Sequence, residues 1–350
     1  MMNVCCLWRT AVGAVLAFFA ITSFAQVEYK IVTASERGTY MQIGRDLAKF
    51  VAPPAGIQLE ALPSAGSAEN VRRLRYEQGV KLALVQSDVY QAFLDQAASG
   101  NPDAAAMIRP LRLVMPLYNE EIYFVARVES PLNFVHQIRN ARINLGPVGS
   151  GTALSSSTLY RLMFGDQVPE SRATFMTNEE ALTKLIGDNP PLDVVVVVAG
   201  QPAKLLADMK PEVREYVKLL KVDATHPTAK AALRTYFPAT VKASSYPNLL
   251  SEDIPSFAVK AFLVTYDYNV QLSGIHLARF ARSLCDNFGK LQAEGHPKWK
   301  EVDLALPELG RGWSYYRPTA TEIRSCLAAR PSSKPPSSCT QQERILGLCS

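Results

Sequence analysis

The sequence predicts an α/β fold arranged as two lobes with a ligand cleft between them. Short apolar runs alternate with amphipathic stretches of helical period, the pattern of a mainly parallel sheet covered by helices. The alternation restarts near Leu111, and small-residue turns recur where a predicted strand passes into a predicted helix. Two such halves suit hinge closure on a ligand, although length alone fits a secreted hydrolase equally well.

The elements follow in order. Residues 29–32 read as a strand and 40–51 as a helix with Ile43, Leu47, Phe50 and Val51 on one side. A second strand at 57–62 leads to a helix over 68–78, with Ser67 as its cap. Residues 81–85 form a third strand, and Asp88 opens another helix. Past Leu111 the strands are 111–117, 122–128 and 143–145, and Gly149-Ser150-Gly151-Thr152 opens a helix reaching about Phe164. The five valines of 194–198 have no helical face and read as buried strand. A strand at 258–266 and a long helix at 275–293 complete the pattern, the helix turning Leu277, Phe280, Leu284, Phe288 and Leu291 inward. After Pro318 the composition shifts to Ser, Pro, Lys and Gln, so 319–350 reads as a tail, partly disordered unless its cysteines hold it.

The N-terminus reads as a leader. Arg9 precedes an uncharged stretch with an apolar core from Ala11 to Ile21, and Ser23-Phe24-Ala25 offers a small-x-small cleavage site before Gln26. The core is shorter than the ~20 residues a spanning helix needs, which leaves an uncleaved anchor as the lesser alternative. Residues 1–25 are therefore a signal peptide, and the mature chain is periplasmic or secreted. The composition suits a soluble chain of about two domains: 350 residues, 48% apolar and 20% charged. The net charge of +5 is scattered without a run of five like charges, so no nucleic-acid partner is indicated. Cys285, Cys326, Cys339 and Cys349 remain after cleavage. In an oxidising compartment they allow three pairings, and at least one disulfide is expected. Their spacings do not resemble a metal motif, so no metal or other cofactor is expected.

Chemistry is sparse. The chain contains no G-x-S-x-G elbow, H-E-x-x-H helix, Walker loop or EF-hand loop, and His136, His226, His276 and His296 are scattered. Glu120-Glu121 and Glu179-Glu180 are neighbours that point to different sides, so neither is an acid/base pair. No catalytic residue is assigned. The turns say more: Gly38-Thr39-Tyr40, Ser64-Ala65-Gly66-Ser67, Gln86-Ser87-Asp88 and Gly149-Ser150-Gly151-Thr152 all lie at carboxyl ends of predicted strands. Open α/β sheets bind ligands there, and a helix start favours an anion. Arg37, just before Gly38, adds a guanidinium suited to a ligand carboxylate, the alternatives being a pair with Glu36 or another surface carboxylate, or exposure to water. Simple helix capping is the other use of each turn.

These turns, with Ile43-Gly44, Leu117-Tyr118, Ala199-Gly200-Gln201-Pro202, Tyr246-Pro247 and Trp313-Ser314-Tyr315-Tyr316 in the same order, resemble the TAXI family of TRAP-transporter solute receptors over 29–318. The resemblance implies a type II periplasmic-binding fold that closes on a small carboxylate or amino acid, such as glutamate or a dicarboxylate. It further implies delivery to a TRAP membrane permease, and we expect a monomer. The family contacts map to Thr39, Tyr40, Gln86, Ser87, Ser150, Gly151 and Thr152, and Gly38, Ser67 and Gln201 stand in the same motifs. Where the family carries a glycine-rich run, this chain has Ser35-Glu36-Arg37. The expected layout is lobe 1 over 26–117, lobe 2 over 118–242 and a return to lobe 1 over 243–318. A secreted α/β enzyme or a periplasmic sensor is the alternative.

Overall fold

The computed structural model describes residues 26–36, 38–309 and 312–330, so the expected signal peptide at 1–25, Arg37, Cys339 and Cys349 lie outside the described residues. The first lobe is parallel at its edge. Strand β1 (Val27–Val32) lies between β2 (Ile57–Leu62) and β3 (Val80–Gln86), both parallel to it. Parallel neighbours need a long crossover, which α1 (Thr39–Asp46) and α2 (Ser67–Tyr76) supply. Helix α1 runs on into a π-helical turn, Leu47–Val51, and α3 (Val89–Ala98) and α4 (Pro102–Ile108) follow β3.

Strand β4 (Leu111–Arg127) then runs unbroken for 17 residues. The sequence predicts two strands here, 111–117 and 122–128. In the fold the Glu120 and Glu121 carboxylates have buried partners, so the strand continues through them. The second lobe holds β5 (Ile143–Asn144), α5 (Gly151–Phe164), β6 (Ala173–Thr174), α6 (Asn178–Leu185), β7 (Val194–Ala199), α7 (Lys204–Ala207), β8 (Val217–Leu219), α8 (Pro227–Ala232) and β9 (Phe237–Val241). Strand β10 (Ile254–Tyr266) runs antiparallel to β4 and carries the chain back to α9 (Gln271–Asp286), α10 (Phe288–Glu294) and α11 (Arg317–Ala329).

The sheet order is β2-β1-β3-β10-β4-β7-β5-β6, with β8 on β4 and β9 on β10. Strands β4 and β10 serve both lobes. One end of β10 pairs with β3 and the other with β9, and β4 pairs with β10 from Tyr266 back to Phe257 while its far half, Glu121–Ala126, pairs with β7. Between them the register slips: Asn119 faces Lys260 but Pro116 faces Phe262, leaving Leu117 and Tyr118 opposite Ala261. That is a bulge at the crossing, and Pro116, with no N–H to donate, suits it.

The return to lobe 1 lies later than residue 243. Tyr246, Leu249 and Ile254 pack with Leu182, Val195 and Val197, and Phe257 and Val259 pack with Ile122 and Phe124. An antiparallel partner of β4 must travel its length before it crosses, so the chain leaves lobe 2 near Lys260. The predicted helix 275–293 is two helices, α9 and α10, which meet at Asn287. Residues 319–330 are not tail: α11 opens with Pro318 in its first turn and buries Ala320, Ile323 and Cys326. Ile323 joins Leu277, Phe280 and Ala281 in the core, and a Cys285–Cys326 disulfide ties α11 to α9. Among the described residues no helix is long and apolar enough to cross a membrane.

Candidate functional site

A cavity of about 860 Å³ lies between the lobes, walled by the turns after β1, β2 and β3, by Glu120 of the crossing strand, and by the start of α5, α6 and residues 203–217 of the second lobe. Of the sequence-predicted residues, Gly38, Thr39, Tyr40, Ser67, Gln86, Ser150, Gly151 and Thr152 line it. Ser87 and Gln201 do not. Ser87 donates its N–H to Lys260 O at 2.8 Å and accepts from Trp313 Nε1 at 3.1 Å, which fastens the end of β3 to its neighbours. Gln201 braces the crossing: its backbone N–H and Nε2 donate to Glu121 at 2.8 and 3.1 Å, and its Oε1 accepts from Lys242 N–H at 3.0 Å.

The turns build the walls through local geometry. Ser150 caps α5 by accepting from Ala153 N–H at 3.0 Å. The cap of α2 is Gly66, not Ser67, at φ 129° and ψ −153°, a region essentially restricted to glycine. Ser67 is thereby freed to accept from Gln86 N–H at 3.0 Å and donate to Gln86 Oε1 at 3.2 Å. A Cβ on Gly66 would sit 2.8 Å from Gly151 N; one on Gly151 would overlap Gln86 Oε1 and stand 2.9 Å from Ser67 Oγ. The lobes therefore touch backbone to backbone at two glycines. Helix α1 starts at Gly38 with no side-chain cap, so the N–H groups of its first turn are left for another partner.

Glu120 faces the cavity at 4% exposure, and Tyr40 Oη donates to its Oε2 at 2.7 Å. Burial pushes the Glu120 carboxyl up to about 8, with the adjacent Glu121 charge adding to the effect and the Tyr40 hydrogen bond opposing it. At neutral pH it holds its proton. Glu121 points the other way, to the fully buried Lys298, whose Nζ lies 3.3 and 3.4 Å from its two oxygens. Burial raises the Glu121 carboxyl too, against the pull of Lys298.

A second group joins the lobes beside the cavity. Asp88, 3% exposed, accepts from Ser155 Oγ of α5 at 2.7 Å and from Tyr236 Oη at 2.8 Å, both on its Oδ2. Its Oδ1 has no partner. Burial pushes this carboxyl up to about 6, the two hydrogen bonds pulling against it. Arg161 of α5 also pairs with Asp95 of α3.

Sequence reasoning missed Glu120 as a member of the site, because it enters there only as the neighbour of Glu121; Asp88 stands in the expected Gln86-Ser87-Asp88 turn but does not line the cavity. Strand alternation does place Glu120 and Glu121 on opposite faces, but which face meets the cavity depends on the crossing. None of the four histidines lines the cavity; His136 and His226 instead stack on each other with ring centroids 4.0 Å apart. Among the described residues no cluster of His, Cys, Asp and Glu is arranged to hold a metal.

Solved structures of similar fold include the periplasmic binding protein BugD, at 12% identity, TM-score 0.49, covering 86% of this chain and 94% of that one. Another is XAC2383 from Xanthomonas citri bound to ATP, at 12% identity, TM-score 0.45, covering 87% of this chain and 99% of that one. A third is the periplasmic aliphatic sulphonate binding protein SsuA from Escherichia coli, at 16% identity, TM-score 0.41, covering 92% and 91%. The NMT1-like family profile matches residues 31–304, most of the chain. With two lobes, two crossing strands and a cavity between them, the chain belongs to the NMT1-like family, within the periplasmic binding protein type II superfamily.

Proposed function

We propose that this chain is the extracytoplasmic solute receptor of a TRAP transporter of the TAXI type. It captures a small carboxylate in the interlobe cleft, with no chemical step, and delivers it to a membrane permease. Glutamate and dicarboxylates are the first compounds to test. The observation that carries the reading is the pairing of two helix starts, at Gly38 and Ser150, around one cavity in which the buried acid beside them, Glu120, is held protonated. Helix starts present N–H donors and a positive dipole end to an anion. A protonated carboxyl adds a donor where an ionised one would repel. The receptor is a periplasmic monomer, with residues 1–25 as its cleaved leader.

A thermal-shift screen of amino and organic acids tests this: a ligand at 100 times its Kd adds ~2.7 kcal/mol of stability. Absence of any stabilising acid, with turnover of some substrate, overturns it. Arg37 is expected to grip the carboxylate, and calorimetry on Arg37→Ala is expected to lose tenfold or more in affinity, ~1.4 kcal/mol per decade.

A further inference from the structure

We infer that the ligand is an amphipathic monocarboxylate, its acid group at the starts of α1 and α5 and its apolar chain lying in a groove of the second lobe. The inference rests on the receptor reading above and narrows its ligand class.

Size is the first reason. A cavity of about 860 Å³ stands near the top of the ~300–1,000 Å³ range that encloses drug-sized ligands. An acid as small as glutamate leaves most of it filled with water. Length is the second. The cavity wall includes Ala199, which pairs with Glu121, and Val217, which pairs with Arg127. Those partners are six residues apart on β4, so the cavity follows the second lobe for ~20 Å at ~3.3 Å per residue.

The chemistry of the wall changes along that length. Near Glu120 it is Thr39, Gln86, Ser150 and Thr152; beyond Ala199 it is Leu182, Ile186, Met209, Val213 and Tyr216. Ile186 is 44% exposed and Tyr216 55%, large apolar side chains left facing water on the wall of a cleft. An apolar chain covering them removes that surface from water, with the usual hydrophobic gain. A second carboxylate is poorly served there. Lys204 is paired with Asp208 at 2.7 Å, and the charged residues of this wall are two lysines, 204 and 210, against three carboxylates, Glu179, Asp208 and Glu212.

The test is calorimetric titration of the protein lacking residues 1–25, or the full chain if it is not cleaved, with butanoate, hexanoate and octanoate below micellar concentration, beside glutamate and succinate. Each added methylene is expected to tighten binding about fourfold, ~0.8 kcal/mol per buried CH₂. Ile186→Asn, at an exposed position that leaves the core intact, is expected to lower that gain per methylene. If glutamate or succinate binds and octanoate is no tighter than butanoate, the apolar groove is not used and the inference fails while the receptor reading stands. An unchanged chain-length gain in Ile186→Asn likewise overturns the assignment to this groove. If no acid binds, the receptor reading fails and takes the inference with it.

Discussion

Tyr40 Oη donates to Glu120 Oε2 at 2.7 Å, linking the first helix of lobe 1 to the strand that leaves it. The bond holds an acidic side chain at the cavity wall, where burial favours its neutral form.

Stability is expected to fall as pH rises. Glu120 moves from 4.5 to about 8 and Asp88 from 3.8 to about 6, both chiefly through burial. Between each pair of values the native chain holds a proton that the unfolded chain has released. Their contribution is thus complete below about pH 4 and lost as pH climbs through 6 and then 8. Melting of the unliganded protein is expected to occur at higher temperature at pH 5 than at pH 8.5, and Glu120→Gln to flatten the part above pH 6. An equal pH slope above 6 in Glu120→Gln and the wild type would show Glu120 ionised, whatever His136, His276 and His296, whose neutral form burial favours, contribute below that pH.

Gly151→Val is expected to weaken ligand binding by more than tenfold and leave the unliganded melting temperature nearly unchanged. The added side chain collides with Gln86 and Ser67 of the opposite lobe, so it blocks closure without disturbing either core. Titration and melting on the same variant check both halves of the expectation. Retained affinity places the anion site away from the start of α5.

Tyr236→Phe removes one of two donors to Asp88 Oδ2 and one partner of Ser155 O, at 3.1 Å. The contact with Asp88 crosses between lobes and that with Ser155 lies within the second, so the loss of the first falls on the interlobe contact. Hydrogen bonds to charged groups are worth ~1.5–3 kcal/mol, and a decrease in affinity of about tenfold or more is expected at pH 7.5, where Asp88 is ionised. The decrease is expected to shrink at pH 5. Equal affinity for the variant and the parent at both pH values removes Asp88 from closure.

Reduction of Cys285–Cys326 is expected to cost ~4 kcal/mol, since the bond closes a loop of 41 residues. Calorimetric melting with and without a phosphine reductant measures it, and Cys326→Ser reproduces the reduced value. If both scans coincide, packing alone holds α11 against α9.

The turns were legible because their signals are local. A serine that caps three residues ahead and valines that favour a pleated strand depend on the chain within a few residues of themselves, whereas the cap of α2 fell to Gly66 and not to the expected Ser67. The α/β alternation and most strand positions come from the same short-range pattern. The tertiary structure decided which of those features meet. Tyr40 and Glu120 are 80 residues apart, Asp88 and Tyr236 are 148 apart, and each pair forms only because β4 and β10 set the two lobes face to face. The same crossing made one continuous strand of the two expected at 111–117 and 122–128. It also made helix α11 of a stretch whose composition reads as tail, because the apolar surface that holds α11 belongs to α9, some 40 residues earlier in the chain.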